Sequence, residues 1–128
     1  MQVLLDTHVF LWWIDDDKRL SERARSIITD GSNALFVSVV SSWEIAIKAQ
    51  LGKLDLPANL EQFVAKQLDE NYMTILPIQL THTLAIYRLP LLHRDPFDRM
   101  LVTQSRFENI PILTADPLIK QYVVQSIW

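Results

Sequence analysis

Four acidic residues stand where acids can act together. Asp6, Glu44, Asp98 and Asp116 are far apart along the chain, yet each falls near the start of a segment that reads as a helix. Three of them sit just past short runs that read as strands. Asp6 comes after Val3–Leu5, the Ser41–Glu44 segment after Leu35–Val39, and Asp116 after Ile112–Thr114. Asp98 follows a loop. In a parallel sheet the strand C-termini share one edge, and that edge is where open α/β folds bind ligands. The spacing therefore predicts that four carboxylates meet at one rim.

Such a meeting is costly without a cation. Two ionised carboxylates about 5 Å apart repel by roughly 3 kcal/mol at an effective dielectric near 20. A divalent cation reverses the sign of that interaction. An all-oxygen set points to Mg²⁺ or Mn²⁺ rather than zinc. Hard cations held by acids activate water and neutralise phosphate oxygens in phosphodiester hydrolysis.

Each acid also has a purely local reading. Asp6 could be an N-cap. Ser41-Ser42-Trp43-Glu44 matches a capping box, in which Glu44 would only serve the helix end. Asp95 precedes Pro96 and Asp116 precedes Pro117, the cap-then-proline order. Asp98 could simply complement the helix dipole. Arg94 and Arg99 flank the third acid and could grip phosphate, and Lys48 and Lys53 lie on or just past the helix of Glu44. Thr7, Ser38 and Thr114 could orient water or satisfy strand-end backbone. His8, His82 and His93 have no metal-ligand spacing and read as core or surface residues.

The elements that must position these groups alternate strand and helix. The reading is α/β with a central, mainly parallel sheet of four to five strands flanked by helices. Strands are expected at Val3–Leu5, Leu35–Val39, Met73–Leu76, Ile112–Thr114 and, at an edge, Val123–Ser126. Helices are expected over Val9–Ile14, from Ser21 to Gly31, from Ser41 to Gly52, around Leu60–Leu68, over Thr81–Leu89, from Asp95 to about Glu108, and after Asp116. The 128 residues suit one domain, residues 1–128, and no repeat or linker interrupts them. Apolar residues make up 49% and charged residues 21%, a globular composition. The absence of Cys excludes disulfides, thiolate zinc sites and a cysteine nucleophile. Two glycines exclude a glycine-rich phosphate loop. A formal net charge of −3 argues against a general basic coat, though not against nucleic acid as substrate. No apolar run approaches a membrane span, and an early Asp6 without a basic start argues against a secretory signal. A cytoplasmic location is the expectation.

At these residues the sequence resembles the PIN-domain family, in particular its VapC-like toxins. The matching segments are Leu4-Leu5-Asp6-Thr7-His8, Ser38 through Lys48, Gly52-Lys53-Leu54, Leu89 through Gln104, and Leu113-Thr114-Ala115-Asp116. They occur in the family's order. The resemblance implies a PIN-like three-layer fold and a Mg²⁺-dependent endoribonuclease (Mn²⁺ as substitute) that cleaves RNA by metal-activated water. It implies that Asp6, Glu44, Asp98 and Asp116 are both catalytic and metal-holding. Asp98 is preferred to Asp95 because it directly precedes the apolar start of its helix, and Asp95 stays auxiliary with Thr7 and Thr114. Arg94 and Arg99 are the expected substrate contacts. The resemblance further implies the toxin of a type II toxin–antitoxin pair, a cognate antitoxin and a homodimer, with no membrane partner. Trp12 and Trp13 are expected to line the groove that an antitoxin covers.

A receiver-like phospho-acceptor domain would also place acids at strand ends. It would need an acid at position 7, an Asp after the Met73–Leu76 strand and a Lys after the last strand. Thr7, Pro77 and Ser126 stand there instead. A silent binding module built on the same fold, and DNA in place of RNA, are the other readings of the same residues.

Overall fold

Val3, Leu4 and Leu5 are wholly buried, as expected of a central parallel strand covered by helices on both faces. The computed structural model describes residues Met1–Trp128, and this strand, β1 (Gln2–Leu5), lies at the middle of its sheet. There follow α1 (Thr7–Ile14), α2 (Glu22–Thr29), β2 (Ala34–Ser38), α3 (Val39–Gln50), α4 (Leu60–Glu70) and β3 (Met73–Leu76). Then come α5 (Leu80–Ala85), a 3-10 turn (Ile86–Arg88), α6 (Pro96–Glu108), β4 (Ile112–Leu113), α7 (Pro117–Lys120) and β5 (Ser126–Ile127). The strand order is β3-β2-β1-β4-β5, and every pairing is parallel. The expectation of a mainly parallel sheet of four to five strands thus resolves to five, all parallel.

The chain winds outward from β1 through β2 to β3, then returns to the other side of β1 to lay down β4 and β5. The order reverses at β1. The crevice between the C-terminal ends of β1 and β4 is therefore the switch point of the fold. Asp6 N–H donates to the Leu113 carbonyl at 3.0 Å, which pins Asp6 against the end of β4.

Alternation along the strands sorts the interior into two cores. Val3, Leu5, Leu35, Val37 and Leu113 point to one face, where they meet Val9 and Phe10 of α1, Ala24, Ile27 and Ile28 of α2, and Ile45 of α3. Leu4 and Ile112 point to the other, against Leu101 and Val102 of α6 and Ile119 of α7. A sheet between two helical layers results. Trp12 and Trp13 are half-buried against the first core and find partners within the chain. The Trp12 ring packs edge-on against Trp128 and carries Arg19 over its face, and Trp13 Nε1 donates to Asn71 Oδ1 at 2.8 Å. The tryptophan left most open is Trp43, 56% exposed.

Several boundaries differ from the sequence reading. α3 starts at Val39, directly after β2, and its N-cap is Ser38. Ser38 Oγ accepts from Val40 N–H at 3.0 Å and donates to Gln104 Oε1 of α6. Ser41 is therefore not the cap, and its hydroxyl pairs instead with Thr7 Oγ1 at 2.7 Å. This removes the capping-box reading of Glu44, which lies a turn further along. The edge strand is Ser126–Ile127 rather than Val123–Ser126, because the backbone partners of β4 are Ser126 and Ile127 while Val123 faces solvent. Helix α5 stops at Ala85 and tightens into the 3-10 turn. At α6 the reading holds: Asp95 caps it through Phe97 and Asp98 N–H, Pro96 opens it, and Asn109 closes it with φ of 55°, the left-handed conformation that Asn tolerates.

Ser38→Ala removes a cap and leaves Oε1 of buried Gln104 without its donor, while Nε2 keeps the Pro77 carbonyl. The expected loss is about 1–3 kcal/mol of unfolding free energy, read by urea denaturation. A change below about 0.5 kcal/mol would restore Ser41 as the start of the helix.

Candidate active site

The switch point gathers carboxylates from four segments. Asp6 ends β1 and precedes α1, and it is 2% exposed. Its side chain does not cap α1. Its Oδ2 instead accepts from Thr114 Oγ1 at 2.7 Å, and the same Thr114 oxygen accepts from Asp116 N–H at 3.0 Å. One threonine at the end of β4 thus links the first acid to the fourth. Asp116 is half-buried, and its Oδ1 accepts from Leu118 N–H at 2.9 Å as the cap of α7. Glu44 projects from α3 and is buried. Its Oε2 holds Lys48 Nζ at 2.7 Å. Asp98 enters from the first turn of α6, its Oδ2 3.3 Å from His93 Nε2.

The charges of these groups act on one another. Burial, then the charges of Asp95, Asp6, Asp116 and Glu44, push the Asp98 carboxyl up to about 8. Burial also raises Asp6 above the usual carboxylate value, against the Thr114 hydrogen bond and the His8 charge that favour its ionised form. Burial pulls the Lys48 ammonium down, but the Glu44 carboxylate, helped by Asp95 and Asp98, outweighs it and holds that group above its ordinary value. Protons and one lysine share the task of neutralising the acids.

That neutralisation leaves two oxygens over. Asp6 Oδ1 and Glu44 Oε1 are the only buried side-chain polar atoms without a hydrogen-bond partner. An unpaired buried acceptor costs about 1–3 kcal/mol, more when charged. Two such atoms in a set of acids fit a cation better than any neutral donor. The set does not close into a ready cage, since no group of three His, Asp or Glu side chains is drawn tightly enough to hold an ion by itself.

The remaining expected residues divide. Asp95 is committed to the α6 cap through Phe97 and Asp98 N–H. The Thr7 hydroxyl bonds to Ser41 of α3 rather than to an acid. Arg94 is exposed beside a hollow lined by Leu91, Leu92, His93, Arg94 and Arg99. Arg99 is buried, and its guanidinium donates to the Pro90 carbonyl at 2.7 Å, to the Leu89 carbonyl at 3.4 Å and to Tyr122 Oη at 3.0 Å. It is a clasp for the loop before α6, with Nη1 and Nη2 engaged there. His93, which the sequence reading took for a core or surface residue, and Tyr122, which it did not mark, also stand at this rim. The only signal was a histidine five positions before the third acid.

This arrangement, with the sequence match, defines a class. A family model described as "PIN domain" matches residues 3–124, so the chain belongs to the PIN-domain family. Among curated proteins it is similar to Ribonuclease VapC22 of Mycobacterium tuberculosis, 26% identical over 120 residues, covering 94% of this chain and 91% of that protein. Among solved structures it resembles VapBC2 from Rickettsia felis bound to a promoter DNA fragment (TM-score 0.69, 15% identity, 99% and 98% of the two chains covered). It also resembles FitAcB from Neisseria gonorrhoeae, with a TM-score of 0.67, 15% identity, and 98% and 96% covered. At those identities the structures attest the fold. No helix is long and apolar enough to cross a membrane.

The raised carboxyls fix the sign of a pH effect. Asp98 keeps its proton in the folded state after the unfolded chain has lost it, so the folded state binds more protons between the ordinary carboxylate value and about 8. Stability in EDTA should therefore fall as pH rises across that window. Thermal unfolding of wild type and Asp98→Asn at a series of pH values checks this. The wild type should lose more stability than the variant, and Mg²⁺ should restore it most at the upper end. Parallel pH curves for the two proteins would contradict the raised Asp98.

Proposed function

We propose that the protein is a metal-dependent endoribonuclease of the VapC kind, the toxin of a type II toxin–antitoxin pair. The observation that carries the chemistry is the pair of orphaned oxygens, Asp6 Oδ1 and Glu44 Oε1, inside a set of four carboxylates. The choice of RNA as substrate is supported by the likeness to a ribonuclease. The choice of an antitoxin as partner is supported by fold neighbours solved as VapBC pairs. A homodimer and a cytoplasmic location complete this reading.

In this reading Asp6, Glu44, Asp98 and Asp116 hold Mg²⁺ or Mn²⁺, directly or through water. When bound, the ion supplies positive charge to the scissile phosphate and lowers the pKa of water. The chain's own residues do the rest. Thr114 donates to Asp6 Oδ2, and Oδ1, without a partner in the protein, would be the oxygen to hold the ion. Lys48 pairs with Glu44 and is partly exposed, so its ammonium is the cation at this rim that could also meet a phosphate oxygen. Arg94 stands exposed beside the third acid as a phosphate contact. The Asp116 and Asp95 caps fix the starts of α7 and α6 and thereby the positions of the acids at them. Arg99 acts on the loop rather than on the substrate. Helix N-termini facing the rim add favourable field for phosphate.

Purified protein incubated with total cellular RNA should yield discrete fragments in Mg²⁺ and none in EDTA. Asp98→Asn and Asp6→Asn, purified identically, should lose activity by more than about 100-fold, beyond the 10–100-fold typical of residues that only support a ligand. Arg94→Ala should raise KM more than it lowers kcat. Equal cleavage by wild type and both Asn variants would exclude this site. No cleavage by wild type of any RNA, with its antitoxin bound normally, would favour a silent binding module.

A further inference from the structure

His93 is flanked by two partners that together determine where its proton sits. Its Nδ1 lies 2.7 Å from Tyr122 Oη, and its Nε2 lies 3.3 Å from Asp98 Oδ2. Tyr122 Oη also lies 3.0 Å from an Arg99 guanidinium nitrogen. Arginine can only donate, so the tyrosine oxygen accepts from it. The tyrosine hydrogen then has one acceptor in reach, His93 Nδ1. That leaves the ring proton on Nε2, facing Asp98. Once Asp98 is ionised and His93 is neutral, the chain of donors runs one way: Arg99 to Tyr122, Tyr122 to His93, His93 to the carboxylate.

All four groups are shut away from solvent or nearly so. The His93 side chain is 9% exposed, Asp98 8%, and the Arg99 and Tyr122 residues 8% and 4%. Arg99 is itself anchored on the Leu89 and Pro90 carbonyls. The His93 ring also packs against the Tyr122 ring at 5.4 Å between centroids. Three separate stretches of chain supply the parts: the loop before α6, the first turn of α6, and the segment after α7. Such convergence is more than the loop needs to stay folded, since Arg99 already clasps it.

We propose that Arg99, Tyr122 and His93 form a positioning relay for Asp98. It holds Oδ2 by a donated hydrogen bond and leaves Oδ1, which takes no bond from the protein, as the oxygen offered to the cation. None of the three touches substrate. Their effect is on the readiness of Asp98 to bind the ion, as an outer hydrogen bond orients a ligand elsewhere. Oriented low-dielectric chains also polarise one another, so removing the middle of the chain should be felt at its end. This rests on the reading of Asp98 as a metal-holding residue.

The test is Mg²⁺ binding by isothermal titration calorimetry on full-length protein, with thermal unfolding in EDTA as the control for folding. Tyr122→Phe keeps the ring and removes the relay oxygen. His93→Leu removes both nitrogens. His93→Gln keeps a donor near the place of Nε2. Tyr122→Phe and His93→Leu should weaken Mg²⁺ binding by about 10-fold or more, while His93→Gln stays within about 3-fold of wild type. For cleavage, kcat should fall in the first two with KM for RNA little changed. Wild-type Mg²⁺ affinity in Tyr122→Phe and His93→Leu would overturn the relay. If His93→Leu fails to fold, Tyr122→Phe against His93→Gln decides alone, since equal affinities in that pair would also overturn it. A wild type that binds Mg²⁺ no better than Asp98→Asn would instead overturn the metal reading, and the relay with it.

Discussion

The mutual repulsion of acids at one edge of a parallel sheet is the constraint around which this molecule is arranged. Asp6, Glu44, Asp98 and Asp116, with Asp95 beside them, are brought to the C-terminal ends of β1 and β4 by the winding of the sheet. Ordinary folding energetics would disperse them. The fold offers partial relief in four forms. Asp95 and Asp116 cap helices, where negative charge is favoured. Thr114 donates to Asp6. Lys48 pairs with Glu44. Asp98 retains a proton to about pH 8. Even so, Asp6 and Glu44 each keep a buried oxygen with no partner. Those two atoms are the part of the repulsion that the fold's own groups do not relieve.

Positioning that site falls to the two cores. β1 is buried on both faces, so neither its register nor its end can drift, and Asp6 is the next residue along. α3 follows β2 without a loop, and the Ser38 cap locks it to Gln104 of α6. Glu44 and Asp98 are thereby held by helices that are bonded to each other. The Thr7–Ser41 bond does the same for α1 and α3. Each acid is carried by a rigid element, which favours a defined geometry over the mobile one that a loop would give.

Much of this was legible from residue types. The position of Asp6 after Val3–Leu5, and of Asp116 after Ile112–Thr114, followed from strand periodicity and the shared edge of a parallel sheet. The Asp95-Pro96 start of α6 needed only local cap chemistry. The start of α3 did not, because Ser41-x-x-Glu44 imitates a capping box. Its hydroxyl is claimed by Thr7, 34 positions away, and a local motif carries no record of that. Arg99 looked like a phosphate contact by its proximity to Asp98. Its burial against the Leu89 and Pro90 carbonyls depends on how the preceding loop folds back. Tyr122 was invisible for the same reason: it lies 29 positions from His93, in a segment without periodicity. Trp12 and Trp13 stay half-buried while meeting Trp128, Arg19 and Asn71, contacts that their spacing did not announce. Pairings fixed by chain topology are the part that residue spacing does not encode.

The most direct measurement is the anomalous scattering of a crystal grown or soaked with Mn²⁺, collected near the manganese edge. A peak bounded by Asp6, Glu44 and Asp98, with the Lys48–Glu44 contact opened, is the expected result. The orphaned oxygens would then have found their partner. No peak at that rim under saturating Mn²⁺, with Lys48 still seated on Glu44, would contradict the idea that these carboxylates are gathered for a cation.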